Sequence, residues 1–518
     1  MQRRTARRPV LLFTSQCAYD TPLPFHPPER YPELGFLPAE TAPGNRIYAS
    51  VRELLRALGY DTSRRDTREW SPLSDLVAPG GTVVLKPNFV RHFSEKPGGS
   101  YDAVVTHPMV LRPLIDYALL AVGPTGRVVV ADAPQYDCDV DVLLERTRLP
   151  ALLAWYRSEL GVEVAWRDLR VEYGRHLHGV QFEKRALAGD PEGYEAVDLG
   201  AASEFAAMGE PRLRLLRGAD YDEEVTIRHH SGGRNEYLVA KTVLGADLVI
   251  NVPKVKTHKK TGVTLSMKNL IGINGDKNWL PHYRAGFQAR GGDEFPRPDP
   301  YSRVRRIGAE IARNLLKRGV GAPLFRRLRA VENAAGLGAR ARNGNWWGND
   351  TIWRTTIDLN KIFYLGDRRG VLARSDGADG RRVLNVYDGI VAGERDGPMG
   401  PDARPIGLLA AGEDGVGVDA VLAWIMGFDW RRIPVLANAI GELAGGVRIT
   451  DFDGDPDALC VRWIDERGER ELRLSEIDLD LAFEPHPGWK GRIERAPARE
   501  GRPGPGSEVT GARRRGGV

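Results

Sequence analysis

The clearest hydrophobic pattern in the chain is the run Leu248, Val249, Ile250 and Val252, which predicts a short buried strand. Pro253 ends it, because proline has no N–H to give to a ladder. Comparable runs lie at Val10 to Phe13, in GTVVLKPN from Gly81 to Asn88, in GRVVVADAP from Gly126 to Pro134, and at Val162 to Trp166. Helical spacing separates them: Arg46 to Leu58, with Val51, Leu54, Leu55 and Leu58 on one face, then Pro108 to Ala121 and Val140 to Leu160. Continuous apolar strands alternating with helices predict an α/β fold, a mostly parallel sheet covered by helices on both faces. The pattern weakens between Arg167 and Val239, where extended segments and solvent-exposed His229 and His230 are expected. It resumes at Trp353 to Leu365, Val383 to Val391 and Pro405 to Ala411, followed by a helix that Asp414 caps and that runs to about Gly427. Residues 446–474 predict a peripheral strand pair.

This reading divides the chain into a discontinuous α/β core, 1–280 and 346–490, an inserted basic helical segment at 281–345, and an Arg-, Gly- and Pro-rich disordered tail at 491–518. Residues 303–342 carry 11 Arg or Lys against Glu310 and Glu332, with Ile307, Ile311, Leu315 and Leu316 at helical spacing. Three roles suit such a segment: a solvated arginine face, a lid over an anionic substrate, or a peripheral membrane contact. Aromatic residues are scarce in it, which disfavours single-stranded nucleic acid as a partner.

Composition narrows the class. A chain of 518 residues with 42% hydrophobic and 28% charged residues is ordinary for a soluble protein, and a net charge of +5 does not call for nucleic acid. Cys17, Cys138 and Cys460 are far apart and form no CxxC, so neither an iron–sulfur cluster nor a disulfide framework is expected. A reducing, cytoplasmic setting follows. No apolar stretch approaches the ~18 residues of a membrane span, and Pro9 to Phe13 is too short for a signal-peptide core.

The candidate chemistry lies beyond the central run. Of 13 lysines, six (Lys254, Lys256, Lys259, Lys260, Lys268 and Lys277) fall within 24 residues that contain no arginine. Lysine is a compact charge whose pKa moves on burial, suited to holding an anion or moving a proton. A helix from about Thr261 to Leu270 would put Thr261, Thr264 and Lys268 on one face. Other polar residues fall at strand ends, where sites form in parallel sheets: Lys86, Asn88, Asp132, Asn251, Lys254 and His258. The expected ligand is therefore an anionic small molecule, phosphorylated or carboxylated. Lys86, Asn88, Lys254, Lys256, Thr261, Thr264 and Asn269 would bind it, and His258, Lys268 and Asp388 would carry catalysis. A divalent metal at Asp132, Asp388 and Asp419 is an open alternative, as is a merely solvated basic loop. His282 and the GGDE at Gly291 to Glu294 could close over the site. GxGxxG, P-loop and GxSxG motifs are all absent. An enzyme, a non-catalytic anion binder and a membrane- or polymer-associated accessory protein all remain open.

The blocks VVLKPN, THP, VVVADAP, VINVPKVKTH, TLSMKNLIG, YDGIVAGERDGP and GVGVDAVLAWIMGFD run in order from Val83 to Asp429. In them the chain resembles the family catalogued as domain of unknown function 362, over a family-like region of 81–440. The resemblance implies that Lys86, Asn88, Asp132, Lys254, Lys256, His258, Lys268, Asn269, Asp388 and Asp419 stand at family-motif positions. It implies relatedness and no particular reaction, since the family name assigns no general activity. Some members carry a cysteine-rich ferredoxin-like segment that this sequence lacks, so an electron-transfer role is disfavoured.

Overall fold

The computed structural model describes residues 7–177, 180–218, 222–297, 315, 343–372 and 381–496. In chain order its strands are β1 (Val10–Phe13), β2 (Thr82–Pro87), β3 (Arg127–Asp132), β4 (Val164–Asp168), β5 (Glu172–Leu177), β6 (Val180–Ala186), β7 (Tyr194–Asp198), β8 (Leu216–Arg217) and β9 (Glu236–Ala240). There follow β10 (Leu248–Val252), β11 (Lys254–His258), β12 (Gly262–Val263), β13 (Tyr283–Arg284), β14 (Arg382–Glu394), β15 (Asp402–Gly412), β16 (Cys460–Asp465) and β17 (Gly468–Arg473). Eleven of them form one mixed sheet in the order β17-β16-β1-β15-β14-β10-β2-β3-β4, with β11 and β12 off the path beyond β14. The run β14-β10-β2-β3-β4 is parallel throughout. The other six make small antiparallel pairs, β5 with β6, β7 with β9 and β8 with β13.

Alternation along each strand builds two cores. Val83 and Leu85 face Leu54, Leu55, Leu111 and Leu114 from the helices Arg46–Ala57 and Pro108–Val122. Val84, Val129 and Val249 face Leu359, Ile362 and Phe363 from the helix Ile352–Leu365. Both faces of the parallel strands are thus covered, as their unbroken apolar character requires.

Several local expectations are corrected. The helix expected at 140–160 is two helices, Val140–Thr147 and Leu149–Leu160, separated by Arg148 at φ 57° just before a proline. The helix expected from Thr261 to Leu270 shrinks to Ser266–Asn269, continued by a 3-10 turn at Leu270–Ile273. Its first residues are drawn instead into the β11–β12 hairpin, where His258 pairs with Gly262 at φ 80°. His230 is not exposed: it is buried, with Nε2 2.8 Å from the Trp279 carbonyl. His229 stacks on the Trp279 ring and lies 2.8 Å from Glu236. Of residues 446–474 only the last part is extended, as β16 and β17 at the sheet edge. Ile493 is buried, and its carbonyl accepts from Asp429 N. The basic segment 303–342 lies outside the described residues, Leu315 apart.

Candidate functional site

At Pro253 the chain leaves β10 but remains extended. It continues as β11 and pairs with the distal half of β14, Lys254 opposite Asp388 and Lys256 opposite Gly393. The start of the lysine stretch, Lys254 to His258, is therefore a strand and not a loop. Lys254, Lys256 and His258 alternate onto one face, while Val255 enters the apolar core. Lys254 Nζ lies 3.0 Å from Asp388 Oδ2 and 2.7 Å from the Tyr19 hydroxyl, which itself donates to Asp388. Asp388 also accepts from His107 N at 2.9 Å, and the His107 ring stacks on Tyr19 at 4.0 Å. Among the described residues Lys256 has no such counter-ion. Its Nζ donates to the carbonyls of Val104 and Pro398. Burial, reinforced by Lys254 and Lys268, pulls its pKa well below the ordinary lysine range. His258 Nδ1 accepts from the backbone N–H of Lys260 at 3.0 Å and of Thr261 at 3.2 Å. The neutral ring therefore carries its proton on Nε2. Burial, then Lys268 and Lys259, hold its pKa well below the usual histidine value, so it is neutral and a hydrogen-bond donor.

At the neighbouring strand ends Lys86 Nζ lies 2.7 Å from Asp132 Oδ1, with both side chains buried. Asp132 also accepts from Phe89 N at 2.8 Å and Ala133 N at 2.9 Å. Gly272 packs on this pair so tightly that a β-carbon there would stand 2.6 Å from Lys86 Nζ. A file of buried amides crosses the same strand ends, joining Asn88 to Asn269, Asn269 to Asn251 and Asn251 to Asn385.

The short helix Ser266–Asn269 is held from below by Asp419, which accepts from Ser266 N and Met267 N at 3.0 Å each and from Tyr387 Oη at 2.6 Å. Burial raises the Asp419 carboxyl to about 7 in spite of these donors. Lys268, on that helix, is partly exposed and makes no ion pair or hydrogen bond among the described residues. Burial and the neighbouring Lys86 bring its pKa down to about 7. Lys277 donates only to the carbonyls of Ile271 and Asn274, at 3.1 Å each, and burial lowers it to about 7. Lys256, Lys268 and Lys277 thus contribute three lysine amines, none of them in a salt bridge among the described residues.

The structure gathers Lys86, Asn88, Asp132, Lys254, Lys256, His258, Lys268, Asn269 and Asp388 around the strand ends. Thr264 joins them through its N–H, which donates to the Lys256 carbonyl. Thr261 meets His258 through its N–H, while its hydroxyl, with no helix there, donates to the Val263 carbonyl. Asp132, Asp388 and Asp419 each have their own partners, and among the described residues no three His, Cys, Asp or Glu side chains form a metal-ligand group. His282 is partly buried, with Nδ1 2.7 Å from the Leu280 carbonyl. Within GGDE, Asp293 is buried and braces a turn by accepting from Thr351 Oγ1 at 2.6 Å and Asp350 N at 3.0 Å. Two residues escaped the sequence reading. Asn385 is an amide inside the apolar run of β14, a signal that was available. Tyr19 lies in an irregular N-terminal segment whose sequence carries no mark of the site.

With this geometry in view, two likenesses gain meaning. The chain is 24% identical over 405 residues to a protein of Synechocystis sp. described as thylakoid-associated, covering 78% of this chain and 77% of the relative. No helix among the described residues is long and apolar enough to cross a membrane. Residues 193–424, which hold β10, β11, the Ser266–Asn269 helix, β14 and Asp419, match the family described as Domain of unknown function (DUF362).

Proposed function

We propose that the protein is an enzyme acting on an anionic small molecule, phosphorylated or carboxylated, at the carboxyl ends of β2, β3 and β10. One observation carries this reading: among the described residues Lys268 is partly exposed and without a partner, beside Lys256 and Lys277, which there only backbone carbonyls hold. Ammonium groups without counter-ions are costly to bury, and an anion offsets that cost. Lys256, Lys268 and the His258 Nε2–H would grip the anion, while Asn88 and Asn269 fix its neighbours. Lys254 and Lys86 are already matched by Asp388 and Asp132 and set the shape of the floor. With a pKa of about 7, Lys268 holds both protonation states near neutral pH, which suits it to move a proton. His258 suits donation better than proton acceptance, because its Nδ1 lone pair is already shared by two backbone amides.

The test is mass spectrometry of small molecules released from the purified full chain, paired with calorimetry using inorganic phosphate. An anion that leaves Lys268→Met but stays with the wild type supports the reading. Equal retention by both proteins, or no binding by either, sinks it. The thylakoid-associated relative favours a second reading, an accessory protein at a membrane surface. Co-sedimentation with anionic vesicles, with and without residues 303–342, separates the two.

A further inference from the structure

The buried asparagines beside the proposed anion site have a direction. Asn385 Nδ2 donates to the carbonyls of Gly412 at 3.1 Å and Glu413 at 3.2 Å. Backbone carbonyls only accept, so this amide cannot be turned round, and its Oδ1 must accept. It does so from Asn251 Nδ2 at 2.9 Å. Asn251 Oδ1 accepts from Asn269 Nδ2 at 2.8 Å, and Asn269 Oδ1 from Asn88 Nδ2 at 2.8 Å. Asn251 and Asn269 are held in the same sense by backbone carbonyls of their own, Asn251 Nδ2 donating to Ser266 at 3.3 Å and Asn269 Nδ2 to Lys86 at 3.4 Å, so Asn269 presents its oxygen to Asn88.

What remains at the end of the file is the Asn88 oxygen. It is buried and has no hydrogen-bond partner. Gln135, Asn345 and Asn360 also have buried amide oxygens without a donor among the described residues, and that of Asn88 differs from them in lying at the strand end beside the proposed site. Asn88 is bonded to Asn269, the residue that follows Lys268 in the chain. A second buried polar atom without a partner, Thr264 Oγ1, lies four residues before Lys268.

We propose that the anion held at Lys268 also carries a hydroxyl, which donates to Asn88 Oδ1. The ligand class is then a hydroxylated phosphate ester or hydroxy acid and not a simple anion. This rests on the anion-site reading above and narrows it. Asn88 is the residue that reads the ligand, and Asn269, whose oxygen accepts from the Asn88 amide, is a positioning residue. A site built to bond a hydroxyl rejects the analogue that lacks it, because its own buried group is then left unpaired.

Calorimetry of the full chain at pH 7 compares glycerol 3-phosphate with propyl phosphate, and glycolate with acetate. The wild type should prefer the hydroxylated member of at least one pair by ~10-fold or more. In Asn269→Leu the Asn88 amide loses the acceptor that orients it and the preference should weaken; Asn88→Leu should collapse it towards one directly. Equal affinity of the wild type for both members of each pair overturns the hydroxyl reading, a bound water then being the natural partner of Asn88, and leaves the anion site standing. Binding of no probe at all, with Lys268→Met indistinguishable from wild type, removes the anion site and the hydroxyl reading together.

Discussion

The ammonium of Lys86 lies 2.7 Å from the carboxylate of Asp132, and both groups are closed off from solvent at the ends of adjacent parallel strands. Removing one partner leaves a buried charge without compensation. Lys86→Met or Asp132→Asn should each cost ~3–5 kcal/mol in urea unfolding, whereas the double variant should recover most of that loss. Additive losses would mean that the two charges do not act as a pair. Gly272→Ala should fall in the same direction by ~1–3 kcal/mol, since its methyl would enter the space held by the pair.

Lys268 presents the opposite case. It makes no ion pair or hydrogen bond among the described residues, so the fold gains little from its charge. Lys268→Met should raise the unfolding midpoint slightly, by ~0.5–1 kcal/mol of stability, as often happens where function and not folding keeps a residue. The same variant should lose the thermal stabilisation that phosphate gives the wild type. A variant that is less stable, or that keeps its response to phosphate, would place Lys268 in the scaffold.

Much of this was readable from residue order. The parallel strands at 82–87, 127–132 and 248–252 were plain because burial on both faces demands unbroken apolar runs. The polar residues that end them, Lys86, Asp132 and Asn251, were plain for the same reason. What failed was local geometry. Lys254, Lys256 and His258 alternate with Val255 and Thr257 at the period of a strand, but after Pro253 a short polar stretch resembles a loop. Helical spacing of Thr261, Thr264 and Lys268 lost to hairpin pairing with β11, a non-local contact that propensity cannot weigh. Tyr19 reaches Asp388 across 369 positions, and only the assembled sheet brings them together.

Asp419 should matter through the helix it holds. Its two oxygens accept from the N–H groups of Ser266 and Met267, which open the short helix bearing Lys268. Asp419→Asn turns an amino group toward one of those donors and should destabilise the chain by ~1–3 kcal/mol. Phosphate affinity should fall along with it, because Lys268 loses its fixed base. Hydrogen exchange at Ser266 to Asn269 checks the cause: protection should drop there before it drops in β10. Uniform loss across the sheet would mean a general packing role.

The pH dependence has a defined sign. Lys268 and Lys277 titrate near 7 in the folded chain, against 10.5 for a free lysine. Between those limits the unfolded chain binds protons that the folded chain has released, so these two groups make stability rise with pH from about 7 to 10.5 and stay flat below. Asp419 works the other way: its folded value near 7 exceeds the free 3.8, so its contribution falls as pH rises through that interval. An anion prefers the lysines charged and therefore reverses their trend on binding. Phosphate affinity should decline as pH climbs above 7, by up to ~10-fold per unit for each proton taken up. Calorimetry in two buffers of different ionisation enthalpy should register that uptake, and Lys268→Met should remove one proton from the count. Affinity that is level from pH 6 to 9, with no proton exchanged, would mean that phosphate binds elsewhere.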